Sequence, residues 1–129
     1  MSSLRAVRRP KRAPETYSAE ARRAIRETTE RIARDMRKQH WYKIHSQAEN
    51  LSIIFAESIA RGDRKVINKV MVQRLCELVA AAHKVAEEKR FLPSVHRIWG
   101  ELRILAAVVA YAEKYLMANR WKLQPHGQK

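Results

Sequence analysis

The segment LRAVRRPKRAP, residues 4–14, carries Arg5, Arg8, Arg9, Lys11 and Arg12 and not a single acid. A second cationic group follows in SAEARRAIRETTERIARDMRKQ, residues 18–39: Arg22, Arg23, Arg26, Arg31, Arg34, Arg37 and Lys38. With Lys43, residues 1–43 hold 13 cations against 5 acids, and ten of those cations are arginine. The planar guanidinium fork matches phosphate oxygens two at a time, so arginine at this density points to polyanion binding. The whole chain of 129 residues carries a net charge of +14. Such an excess repels itself unless a polyanion is the usual companion. Residues 1–43 supply 13 − 5 = +8 of it, and residues 44–129 supply 14 − 8 = +6. At two phosphate charges per base pair, the excess would neutralise about seven base pairs per chain. That is a covering stoichiometry.

Other chemistry is harder to find. The three glycines are isolated, so no clustered-glycine loop can cradle a nucleotide phosphate. No carboxylate is followed three residues later by a histidine, and H-E-x-x-H is absent, which removes the helical metal motifs. Cys76 is the only cysteine, so neither an intrachain disulfide nor a cysteine zinc site is available; beside Leu75 it reads as a small core hydrophobe. His83 and His96 stand alone on expected helices, and Glu87 and Glu88 are adjacent, so they point to different sides. Without two converging groups, the expectation is a protein that is not an enzyme, with no cofactor, no metal and no small-molecule substrate. The longest apolar run, ILAAVVAYA at 104–112, is about half of what a bilayer crossing needs. No apolar run follows the basic N-terminus as in a secretion signal, and the chain reads as soluble.

The elements that must position these cations are helical. Apolar residues recur at three- and four-residue spacing and glycine is scarce, which predicts an all-α fold. Pro10 and Pro14 forbid a continuous helix in the arm. A helix is expected over 18–39, capped by Ser18. At 100° per residue its cations spread over one half-circle, together with Glu27 and Glu30, while Ile25, Thr29, Ile32 and Met36 form a narrow apolar stripe. HWYKIH, 40–45, is expected to break the pattern, with Trp41 and Tyr42 either stacking on bases or plugging a helix joint. Ser46 and Glu49 match a capping box for a helix over 46–62 that stops at Gly62. Asp63 is then expected to cap a helix over 64–90, and Pro93–Ser94 to separate it from a last helix over 95–120. The 46–62/64–90 junction makes a poor helix-turn-helix reader. Its second helix is long and apolar along one face, and Arg64, Lys65, Asn68 and Lys69 are few.

This reading divides the chain into a basic arm and helix (1–43), an antiparallel helix-bundle assembly domain (44–122) and a tail (123–129). Segment 104–112 is apolar nearly all round, so helix 18–39 or another copy must cover it. A contact between protomers is the expectation, because helix 18–39 offers only a thin stripe.

The proline-broken arm RAVRRPKRAP, the arginine-rich helix EARRAIRETTERIARDMRK and a bundle ending near YLMANRWKLQP resemble major coat (capsid) proteins of filamentous double-stranded DNA viruses of hyperthermophilic archaea, of the rudivirus, lipothrixvirus and tristromavirus type. The resemblance rests on architecture and charge layout across most of the chain. It implies a virion protein, assembled in the host cytoplasm, whose N-terminal segments wrap linear double-stranded DNA held in the A form. It also implies bundles packed outward in a helical filament, with the chain paired with itself or with a paralogous coat protein as a homo- or heterodimer. An envelope is compatible with the resemblance, without insertion of this chain. Carried over by position, the DNA-facing residues are Arg5, Arg8, Arg9, Lys11, Arg12, Arg22, Arg23, Arg26, Arg31, Arg34, Arg37, Lys38 and Lys43. Non-specific phosphate contact follows, since a coat covers a whole genome. The other readings open to this composition are an RNA-binding or ribosomal-type protein and a chromatin-like architectural protein.

Overall fold

Helices account for most of residues 14–123, the part of the chain that this computed structural model describes. They are α1 (Pro14–Arg37), α2 (Trp41–Ala60), α3 (Lys69–Glu88) and α4 (Pro93–Leu123), and no strand occurs among the described residues. The chain is all-α, as its periodicity predicts.

The helix ends depart from expectation in instructive ways. α1 starts at Pro14, a residue suited to the first helical position because its missing N–H would be unpaired there anyway. Ser18 is therefore no cap; its hydroxyl donates to the Asp63 carboxylate at 2.6 Å. α1 ends through a left-handed residue, Gln39 at φ 61°, with Gln39 N–H on Met36 O and His40 N–H on Asp35 O. That closure is complete by residue 40, so α2 starts at Trp41 rather than at 46. Ser46 then lies inside α2, its hydroxyl donating back to Lys43 O at 3.3 Å, and the capping box is unused. α2 does stop as expected. Gly62 at φ 64° donates to Ile59 O, and Asp63 N–H donates to Ser58 O, the paired bonds of a Schellman ending.

Asp63 caps only a turn: Lys65 N–H donates to its carboxylate at 3.0 Å. α3 begins five residues later than expected, because Asn68 accepts from Met71 N–H and holds the N-cap. Pro93 opens α4 instead of merely closing α3, which leaves Ser94 within the helix.

The links at 38–40 and 89–92 are short, so α1 runs antiparallel to α2, and α3 to α4. α1 packs on α2 and α3, and α4 packs on the same two helices. α1 and α4 therefore occupy opposite corners of a four-helix bundle. The narrow stripe of α1 is enough to enter the common core, because Ala21, Thr28 and Thr29 sit between Tyr17, Ile25, Ile32 and Met36 and allow close approach. Across the bundle they meet Leu51, Ile54 and Phe55 of α2 and Leu75 of α3. Each large apolar side chain so buried contributes roughly 1.5–3 kcal/mol. The boundary drawn at 43/44 falls inside α2, and the arginine-rich helix shares one core with the rest of the bundle.

Candidate nucleic-acid interface

Burying Tyr17, Ala21, Ile25, Thr28, Ile32 and Met36 fixes the rotation of α1. At 100° per residue, the side opposite that stripe must carry Arg23, Arg26, Arg34 and Arg37. They are exposed, as are Arg31 and Lys38 beside them, while Arg22 is half-buried. From Arg22 to Arg37 the strip runs about 22 Å at 1.5 Å per residue. Among the described residues, none of these cations forms an ion pair with a carboxylate within 4.0 Å. Glu27 and Glu30 are exposed on the same side and lower its charge without clamping any arginine. Lys43 is exposed in the first turn of α2. Arg5, Arg8, Arg9, Lys11 and Arg12 lie outside the described residues. Of the thirteen cations singled out in the sequence, the eight described ones thus divide into a strip of seven on and just beyond α1 and a neighbour on α2.

The strip is anchored at both ends by polar contacts of α1 with α2 and the link that follows it. At its start, Tyr17 Oη and Ser58 Oγ share a hydrogen bond of 3.1 Å and the Arg61 guanidinium lies 3.8 Å over the Tyr17 ring. Burial is the main cause that pushes the Tyr17 hydroxyl above its ordinary range, since the ionised form would lose its hydration. At its end, buried Asp35 accepts from Gln47 Nε2 at 2.9 Å. These contacts hold α1 against the bundle as a fixed presentation of its outer face.

A second region has the opposite chemistry. Between α2 and α4 runs an apolar groove of about 690 Å³, lined by Phe55, Ala56 and Ile59 on one side and Ile104, Leu105 and Val108 on the other. Exposed Ile104, Val108, Tyr111 and Tyr115 continue along α4 at spacings of four, three and four residues, the period of a helix-pairing seam. α1 sits at the opposite corner and leaves this face open. The sequence locates the α4 half through the run 104–112. It does not locate the α2 half, because Phe55, Ala56 and Ile59 lie within the periodic pattern of that helix with no apolar run like 104–112 to mark them.

The remaining candidates settle simply. Trp41 packs partly buried against the core and plugs the α1–α2 joint, whereas Tyr42 is exposed. Cys76 is exposed, not a core hydrophobe, because α3 turns Leu75 and Leu78 inward. His83 lies against the Trp99 ring at 4.8 Å, and His96 Nε2 is 3.2 Å from Arg90 O. No three potential metal ligands cluster among the described residues. No helix among them is long and apolar enough to cross a membrane. In comparison with known proteins, no family model, no curated protein and no solved structure matches this chain.

Proposed function

We propose that this chain is a structural coat protein that covers double-stranded nucleic acid without sequence preference and assembles through its bundle into a helical filament. The carrying observation is the segregation of two faces: an unpaired cationic strip on α1 and an open apolar groove with its seam between α2 and α4. The strip together with the N-terminal arm grips phosphates, and the groove takes a neighbouring coat subunit. An exposed apolar seam of about three turns is costly to leave in water, and association covers it. The A-form geometry and the virion setting belong to this proposal through the family resemblance in charge layout and helix order.

The test is the salt dependence of binding to random-sequence duplexes. Each neutralised phosphate contributes about −0.9 to the slope of log K against log[salt]. A slope steeper than about −5, unchanged between unrelated duplexes of one length, is the expected result. A slope near zero, or a strong preference for one short site, overturns the proposal. Binding confined to structured RNA favours the RNA-binding reading instead.

A further inference from the structure

The helix order brings three distant parts of the chain to one end of the bundle. Tyr17 and Ser18 of α1 bond to Ser58 and Asp63, and Arg64 of the α2–α3 link reaches Met117 Sδ near the end of α4. A Cβ on Gly62 would stand 3.9 Å from Leu116, so the link and α4 are in ordinary contact there. The same end is where the chain before Pro14, with Arg5, Arg8, Arg9, Lys11 and Arg12, is covalently rooted.

This end has cations of its own. Arg61, Arg64, Lys65 and Lys69 are all exposed within nine residues. Arg61 is engaged by Glu57 at 3.7 Å and by the Tyr17 ring. Arg64, Lys65 and Lys69 have no carboxylate partner among the described residues. Asp63, the one acid between Arg61 and Lys69, spends one oxygen on Ser18 and the other on Lys65 N–H. The first turn of α3 opens on this side without any acidic residue, so its positive helix end reinforces the potential. The sequence makes these cations look like too few to read bases. The fold makes them neighbours of the arm's root.

From this we infer that the α2–α3 corner, through Arg64, Lys65 and Lys69, is a second phosphate-binding site that continues the arm's grip on the nucleic-acid backbone. The inference rests on the proposed polyanion binding and adds a site on the bundle itself. The corner stands beside the start of α1, so a nucleic-acid backbone passing this end of the bundle meets three unpaired cations at successive phosphates. Cations at the α3–α4 link stand at the far end of α3, about 30 Å away along a helix of 20 residues. They are outside this contact.

The experiment compares the full-length chain with K65A/K69A and with K89A/R90A at the α3–α4 link, which removes the same charge. Both pairs are tested on one random-sequence duplex over a range of salt, with helicity checked by circular dichroism. For K65A/K69A, the expected slope is shallower by about two, with affinity at 0.15 M salt on the order of tenfold or more weaker. For K89A/R90A, the expected slope is that of the parent chain. Equal effects of the two pairs, or no effect of K65A/K69A on a steep parent slope, overturn the corner site while leaving the general proposal standing. A parent slope near zero removes both.

Discussion

α1 and α4 stand at opposite corners of the same bundle and expose faces of opposite character. The outer face of α1 is a strip of arginines with buried Ala21, Thr28 and Thr29 behind it; α4 exposes the seam Ile104, Val108, Tyr111 and Tyr115. A helix that only had to close the bundle would carry mixed short-range ion pairs outside, and α1 forms none from its strip among the described residues. A terminal helix of a monomer would carry polar residues along its whole outside, whereas α4 sets an apolar seam beside its exposed Arg97, Glu101, Arg103 and Lys114. Packing of the bundle core requires neither surface. Folding uses the inner faces, and on the proposed function the outer ones meet partners of different chemistry.

The comparison breaks most readily on the cationic side. Replacing Arg23, Arg26, Arg34 and Arg37 together by alanine should weaken duplex binding by roughly two orders of magnitude or more at 0.15 M salt and flatten the salt slope by about three to four. Thermal stability should change little, because these side chains are exposed and unpaired. Fluorescence anisotropy and a melting curve on the same sample check both halves. An unchanged affinity would mean that the arginines serve solubility only.

Next in size is the claim that α1 belongs to the bundle. Ile32 is fully buried, so Ile32→Ala should cost about 2–5 kcal/mol in chemical denaturation, with one transition for the whole chain. A loss well under 1 kcal/mol, or a separate early transition for α1, would make α1 a detachable element and return it to the arm.

The smallest effect concerns how α1 is pinned. Tyr17 is buried and its hydroxyl is raised above the ordinary value of 10.0, chiefly by burial. The folded state therefore holds that proton more tightly than the unfolded state does. Its contribution is full below about pH 10 and is lost as pH rises from there through the raised folded value. Tyr17→Phe should flatten this alkaline loss. At neutral pH it should cost only about 1 kcal/mol, since Ser58 keeps its bond to Ile54 O. Denaturation midpoints between pH 8 and 11 measure it.

Much of the fold was legible in the sequence. The 3.6-residue period marks all the helices, and Gly62 marks the end of α2 because a left-handed stop needs a residue without Cβ strain. The boundaries that misled have a common physical origin. Ser46 and Asp63 look like caps, but a cap works only where the chain is already turning. Gln39, a non-glycine residue in the left-handed region, turns it earlier in one case, and Asn68 later in the other. The cations of α1 were legible as an arc, since helical geometry alone places them. Helix order was not. No local signal says that α1 and α4 lie on a diagonal, and this diagonal separates the strip from the seam and brings Lys65 and Lys69 to the arm's root. For the same reason the α2 side of the groove, Ala56 and Ile59 among its residues, emerges only in three dimensions.

Electron microscopy of the purified chain and of its Val108→Asp variant, each with and without random-sequence duplex DNA, tests the two-faced account most directly. Regular filaments of the parent chain on duplex, and DNA-bound but unassembled particles for the variant, are the predicted outcome. Monomers of the parent chain that leave duplex DNA bare, or filaments indifferent to a charge in the α4 seam, would contradict it.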